Sequence, residues 1–167
     1  IFILDTDPKK AAQMLCDKHI PKMIVESAQM LSTAHRMLDG TQAQRKSRSG
    51  KRIINTYVFN DVRDELFYAA VHHNHPCTKW TMESLDNYNW HYHHFANMAA
   101  EYHYRRERQH ATWQKMGMIL AAHPENIPKA GLTEFAQAMN HYPECKVEGN
   151  AVQAYRNYYH TAKPFAK

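Results

Sequence analysis

The stretch DKHIPKMIVESAQMLSTAHRMLDG, residues 17–40, decides the fold. Apolar side chains recur in it every three or four residues, which is the period of an α-helix with one buried face. They are Ile20, Met23, Ile24, Ala28, Leu31, Ala34 and Leu38. Asp17 is a residue type that caps helix N-termini, and Asp39-Gly40 is typical of a helix end. The stretch therefore predicts a long amphipathic helix that packs against a core.

The polar side of this helix carries the first candidate site residues. At about 100° per residue, these side chains fall within an arc of about 80°. They are His19, Lys22, Glu26, Gln29 and Thr33. On pattern alone, such a face is most simply a surface in contact with solvent.

Other segments around this stretch show the same helical period. We predict helices over residues 8–15, 78–106, 112–122, 132–139 and 151–159. The run at 66–71 also favours a helix, whereas the run at 53–59 fits a strand or a short helix. The 5 glycines are few for a protein built from tight β-turns. The expected fold is therefore all-α, a compact single-domain helical bundle over residues 1–167.

Size and composition agree with a soluble protein in a reducing compartment. A chain of 167 residues can bury a core without metal or disulfide support. Its cysteines, Cys16, Cys77 and Cys145, are odd in number and form no Cys-x-x-Cys pair, so a disulfide framework is not expected. No apolar run approaches the ~18 to 20 residues of a membrane span, and the first residues carry no export signal. We expect a cytoplasmic protein that contacts no membrane.

A cluster of cations lies between residues 40 and 53, where the helical period is lost. The cluster consists of Arg45, Lys46, Arg48, Lys51 and Arg52. The whole chain has a net charge of +5 and a pI of about 9.1. We expect one long, mobile basic loop that neutralises nucleic-acid phosphates, so that log K falls with log salt at a slope of about −3 to −4. The alternative is a solvated loop without a ligand.

Two further segments combine chemistry-bearing side chains. One edge of the predicted helix 78–106 carries a polar seam that could line a cleft. Its members are Glu83, Asn87, His91, His94, Glu101 and Arg105. The segment Tyr155-Arg156-Asn157-Tyr158-Tyr159 mixes aromatic rings that stack on unpaired bases with a cation that binds phosphate. Core packing of these tyrosines is an equal alternative.

Several common chemistries lack their sequence elements. The chain has no P-loop, no Gly-x-Gly-x-x-Gly after a strand and no Gly-x-Ser-x-Gly elbow. Nucleotide hydrolysis, dinucleotide redox chemistry and α/β-hydrolase activity are therefore not expected. Glu107 and His110 have the spacing of di-metal helical bundles, but the second pair that such sites need is missing from the sequence. We predict neither a cofactor nor a metal site.

The spacing of Asp17, His19 and Glu26 resembles the start of the phage pyrimidine-dimer DNA glycosylases, also called endonuclease V. In that family an Asp-x-His triplet precedes the catalytic glutamate by the same interval. The family's chains also end in a segment rich in tyrosine and lysine, comparable to residues 155–159. The sequence is similar, too, to a broader group of phage and bacterial proteins that share the pattern beginning at His75-Pro76.

The resemblance implies a compact helical fold and excision of a base from duplex DNA. An amine would attack the sugar of a flipped, damaged or modified pyrimidine nucleotide, with Glu26 as the key carboxylate and His19 and Lys22 beside it. In the family, the amine is the N-terminal α-amine of a threonine, whereas this sequence starts at Ile1. Lys22 is the second candidate for the amine.

The family's arginines beside the glutamate are absent from this sequence. The basic loop, Arg105 and Arg156 would therefore bind the phosphates, while Tyr155 and Tyr159 stack on bases. Two other classes of function fit the same residues. A non-catalytic accessory protein that binds nucleic acid needs only the loop and the tyrosines, whereas a metal-dependent nuclease would use the histidines and Glu101.

Overall fold

The long helix predicted from the opening stretch is confirmed. In the computed structural model, which describes residues 1–47 and 49–166, helix α2 covers His19–Asp39. The apolar side of α2 is buried from Ile20 to Ala34, and Leu38 is partly buried. Each such side chain contributes about 1.5–3 kcal/mol through removal of apolar surface from water. The period of apolar residues was therefore enough to predict this helix.

The remaining helices lie on both sides of α2 in the sequence. Helix α1 covers Pro8–Gln13, and helices α3 to α7 cover Arg63–Leu66, Pro76–Glu83, Leu85–Arg106, Ala111–Met116 and Ala151–Ala162. Short 3-10 turns cover Ile119–Ala121, Pro143–Cys145 and Pro164–Ala166. Helix α5 packs against α1, α2 and α4, so these helices enclose most of the core. Within the described part of the chain, no helix is both long and apolar enough to cross a bilayer.

The all-α prediction is wrong, because the chain after α2 forms an antiparallel hairpin. Strands β1 and β2 cover Thr41–Lys46 and Ile53–Val58, so residues 41–46 and 53 of the expected loop at 40–53 are strand. Helices and 3-10 turns together still hold 53% of the residues. Most hairpin side chains are exposed or half-buried, and Thr56 is the buried one among the residues of the two strands. The apolar alternation that would predict a strand is therefore missing from β1.

The helix predicted over residues 78–106 is interrupted at Ser84. This residue is extended, with φ −155° and ψ 158°, and its Oγ accepts a hydrogen bond from the N–H of Asn87 at 3.1 Å. It therefore caps α5. His75 caps α4 in a similar way, because its Nδ1 accepts from the N–H of Cys77 at 3.1 Å. The cap at Ser84 therefore divides one continuous apolar pattern into two helices.

The segment at 132–139, predicted to be a helix, is irregular. Side chains from distant elements satisfy its backbone. Asn87 Oδ1 accepts from the N–H of Thr133 at 2.9 Å, and the Tyr155 hydroxyl accepts from the N–H of Ala138 at 3.1 Å. Buried backbone groups need hydrogen-bond partners, but these partners can come from outside a helix. Here, bonds to distant side chains take the place of the hydrogen bonds of a local helix.

Arg36 of α2 holds the chain that follows the hairpin. Its guanidinium donates to four carbonyl oxygens at 2.7–3.1 Å and also pairs with the Asp64 carboxylate. The carbonyls belong to Tyr57, Asp64, Phe67 and Tyr68. The prediction of a helix over 66–71 is wrong for most of that run, which is irregular where Arg36 binds its carbonyls.

Candidate active site

Glu26 lies at the surface near the middle of α2. Its side chain is 28% exposed, and its Oε1 is 3.4 Å from Nζ of Lys22, one helical turn earlier. Lys22 is 68% exposed, so its amine is open to solvent. A primary amine beside a carboxylate provides the two groups that imine chemistry at a sugar requires.

Two histidines that the sequence alone did not single out as site residues, His72 and His75, lie on the loop that follows Val71. Thr33, two turns after Glu26 on the same side of α2, donates to the carbonyl oxygen of Val71 at 2.8 Å and accepts from its N–H at 3.0 Å. The next residue, His72, is close enough to Glu26 for the carboxylate to affect its pKa. Partial burial lowers the pKa of His72, and the charge of Glu26 opposes that effect. The His75 ring lies 6.3 Å from the His72 ring.

The backbone and the ring protons of these histidines are both constrained. His72 has φ 57°, in the left-handed region that non-glycine residues rarely adopt. Strained residues of this kind cluster at functional sites. His75 Nδ1 accepts from the N–H of Cys77, which leaves the proton of a neutral ring on Nε2. Of this loop, His72 is the residue on which the Glu26 carboxylate acts, so its ring can donate or accept a proton near that carboxylate.

His19, expected on the solvent-exposed side of α2, is buried instead. It is 7% exposed, its ring stacks on Phe2 with centroids 4.8 Å apart, and its Nδ1 lies 2.5 Å from the Tyr159 hydroxyl. Burial lowers the pKa of His19, and nearby lysine charges add to this effect. These contacts join the start of α2 to α7. His19 and Tyr159 therefore bind each other, and the structure places neither as an exposed ligand.

Arg105, predicted to bind phosphate, is held by the fold. It donates to the carboxylates of Asp17 and Glu101 and to two backbone carbonyl oxygens, at 2.7–2.9 Å. The prediction that Asp17 caps α2 is wrong, because the N-cap residue is Lys18 and no side chain caps it. Arg105 instead ties α5 to the segment between α1 and α2.

The segment at 155–159, predicted to stack on bases and to bind phosphate, is mostly structural as well. Tyr155 is 1% exposed, and its hydroxyl donates to the carbonyl oxygen of Ala136 at 2.8 Å. Arg156 Nε donates to the carbonyl oxygen of Leu4 at 2.9 Å. The aromatic and cationic side chains of α7 are therefore engaged with the rest of the chain, and core packing explains the pattern seen in the sequence.

The middle of the polar seam is buried between helices, since Asn87, His91 and His94 are 0% exposed, whereas Glu83 is exposed. Oγ1 of Thr81 donates to the carbonyl oxygen of Cys77 at 2.7 Å, so it can only accept from Nδ1 of His91, also at 2.7 Å. Nε2 of His91 then accepts from the Ser27 hydroxyl at 3.0 Å. Burial lowers the pKa of His91 well below its usual value, which agrees with a neutral ring. At this point the seam joins α2, α4 and α5 and lines no cleft.

The basic hairpin, which we define as residues 41–58, carries the remaining predicted ligands. Four of its cations are exposed, and they lie toward the end of the hairpin that is distant from α2. They are Arg45, Lys46, Lys51 and Arg52. Arg48 lies outside the described residues. The hairpin base reaches the histidine loop, because the rings of Tyr57 and His73 meet edge to face with centroids 5.5 Å apart.

The first residue of the sequence lies in the interior. Ile1 is 7% exposed, and its nitrogen is 3.8 Å from Sγ of Cys77.

In the described part of the chain, no group of three or more His, Cys, Asp or Glu side chains is arranged to hold a metal ion. Comparison of the chain with protein-family models, with curated proteins and with solved structures gives no match.

Proposed function

We propose that this protein is a DNA glycosylase with AP lyase activity that excises damaged or modified pyrimidines through an amine–sugar imine. The observation that carries the proposal is the pairing of an exposed amine, Lys22, with the half-buried carboxylate of Glu26 at 3.4 Å. The charge of Glu26 acts on His72, and the basic hairpin follows the C-terminal end of the same helix. The resemblance of the Asp17, His19 and Glu26 spacing to phage pyrimidine-dimer glycosylases points the same way.

The first half of the reaction replaces the base by the amine. Glu26 takes a proton from the Lys22 ammonium, and the amine lone pair then forms a bond to the sugar C1′. The bond between C1′ and the base breaks, and its electron pair leaves with the base, which receives the proton from Glu26. The carboxylate, again charged, stabilises the positive charge that develops on the sugar.

The second half breaks the strand. The nitrogen then loses a proton, and its lone pair forms the C1′=N bond as the C1′–O4′ bond breaks. The proton passes to O4′, which leaves a protonated imine and a 4′-hydroxyl. Glu26 or His72 removes a proton from C2′, and the C3′–O bond breaks with the phosphate as leaving group. A nucleotide must leave the base stack before this chemistry can reach its C1′. The exposed cations of the basic hairpin would bind the phosphates of the surrounding duplex.

Borohydride trapping tests the proposal. Borohydride reduces an imine to a stable amine, so the full chain should form a covalent adduct with a duplex that contains its substrate, in the presence of EDTA. The duplexes carry a pyrimidine dimer, a uracil, an oxidised pyrimidine or an abasic site. We expect the adduct on the tryptic peptide that contains Lys22. Lys22→Arg should abolish the adduct, whereas Lys18→Arg, which changes an exposed neighbouring lysine, should not.

Glu26→Gln separates catalysis from binding, because it removes the charge and keeps the shape. We expect a loss of about 10²–10⁴-fold in the rate of strand cleavage, the usual contribution of a general acid–base, with unchanged DNA affinity. An adduct on a different peptide would contradict the choice of Lys22. DNA binding without adduct or excision on every duplex would instead support a non-catalytic accessory protein, and cleavage that EDTA abolishes would support a metal-dependent nuclease.

A further inference from the structure

The tip of the basic hairpin combines positive charge with one prominent apolar side chain. Ile53, the first residue of β2, is 70% exposed and lies directly opposite Lys46 of β1. Arg52 precedes it in the chain. Isolated apolar residues are common on protein surfaces, but this one projects from a narrow two-stranded ribbon among cations.

The charge of the hairpin has one sign throughout. Between residues 41 and 60 the sequence contains five lysines and arginines and no aspartate or glutamate. Ser47 orders the turn, since its carbonyl oxygen accepts from the N–H of Gly50 at 2.8 Å and its Oγ accepts from the N–H of Arg52 at 3.2 Å. Gly50 has φ 71°, which a residue with a side chain would rarely adopt. Hydrogen bonds of Ser47 thus connect the two ends of this turn.

The partner that fits this surface is duplex DNA. A two-stranded β-ribbon has the width that a DNA groove admits, and cations on both strands face the phosphates on either side of the groove. Proteins that bend DNA insert apolar side chains such as isoleucine between base pairs, which unstacks that step. A branched aliphatic side chain surrounded by lysine and arginine has the chemistry for both contacts.

We propose that the hairpin tip enters a groove of duplex DNA and that Ile53 acts as a wedge that unstacks one base step. Lys46, Lys51 and Arg52 hold the phosphates around it. The wedge deepens the proposed glycosylase function, on which its biological purpose rests, because local unstacking lowers the cost of extruding a nucleotide. The contact itself involves no catalytic residue and can be measured without any reaction.

Fluorescence of 2-aminopurine placed in an undamaged duplex tests the wedge, since this base brightens when it is unstacked. We expect the full chain to raise the fluorescence and Ile53→Thr to abolish the rise. Threonine keeps the β-branched shape and the strand preference. Affinity from fluorescence anisotropy, and its dependence on salt, should be nearly unchanged in this variant, because no cation is lost.

Val62→Thr is the matched control. Val62 is 68% exposed and β-branched like Ile53, but it lies outside the hairpin, next to Asp61. This variant should keep the whole fluorescence rise. An equal rise in Ile53→Thr, binding by the unaltered chain without any rise, or no binding at all would each overturn the wedge. Failure of the borohydride test with the fluorescence rise intact would remove the glycosylase proposal and leave the wedge in place.

Discussion

Replacement of Arg36 by methionine keeps the aliphatic part of the side chain and removes the guanidinium that holds the hairpin base. The guanidinium makes five hydrogen bonds, and the side chain is 4% exposed. Loss of one partner from a buried ion pair costs about 3–5 kcal/mol. Adding the free energies of five charged hydrogen bonds would give a larger loss. The loss is smaller than that sum because Asp64 is 43% exposed and its carboxylate is hydrated by water in the variant. We therefore expect the free energy of unfolding to fall by about 3–5 kcal/mol, out of roughly 5–15 for a domain.

Urea unfolding followed by tryptophan fluorescence measures this loss, and amide hydrogen exchange over residues 53–58 reports local opening of β2. We expect a lower urea midpoint and faster exchange in Arg36→Met. Arg63→Met is the control, because Arg63 is 38% exposed and pairs with Asp61 on the same connection, so both readouts should change far less than in Arg36→Met. A change below about 1 kcal/mol in Arg36→Met, the value of a single ordinary hydrogen bond, with unaltered exchange would refute the anchoring role.

Three further predictions concern charge, pH and the hairpin junction. Replacing Lys51 and Arg52 together by alanine removes two phosphate contacts and should reduce the slope of log K against log salt by about 1.8; an unchanged slope in a salt titration would contradict contact of these residues with DNA. Burial lowers the pKa of His35 from 6.5 to about 4, so the unfolded chain binds the additional proton between these values and stability falls as pH drops through this window. Between pH 7 and pH 4.5, the free energy of unfolding in urea should fall by about 2–3 kcal/mol less in His35→Gln than in the unaltered chain. An identical pH dependence in both proteins would exclude His35 as its source. A Cβ on Gly40 would lie 2.5 Å from the carbonyl oxygen of Arg36 and 2.8 Å from that of Val58, so Gly40→Ala should lower the thermal midpoint, and an unchanged midpoint would show that the junction adjusts freely.

The elements that could be predicted are those whose signal is local. Helices α1, α2 and α7 bury one side of an amphipathic pattern, so the period of their apolar residues predicts them. The pattern of apolar residues did not predict the hairpin, because its strands are mostly exposed and bury little beyond Thr56. Its stability depends on Arg36, whose partners are 21–32 residues away in the chain. No local period contains that information.

The candidate site also contains one part that the sequence predicts and one part that depends on tertiary contacts. The sequence placed Lys22 and Glu26 one turn apart on a helix, and their pairing follows from helical geometry. His72 could not be assigned to the site, because it reaches Glu26 through the bonds between Thr33 and Val71. A histidine-rich segment before Pro76 was visible as a break in the helical pattern, but its position beside α2 was not.

Sequence by itself determined the long helix, its amine–carboxylate pair and the concentration of cations between residues 40 and 53, because each depends on neighbours in the chain. Tertiary structure decided which polar residues remain free. Arg105, Arg156 and Tyr155 have the same chemistry as phosphate and base ligands, yet carbonyl oxygens and carboxylates of distant segments engage them. A buried donor must find an acceptor wherever the fold provides one, and this requirement separates the structural cations from the exposed ones on the hairpin.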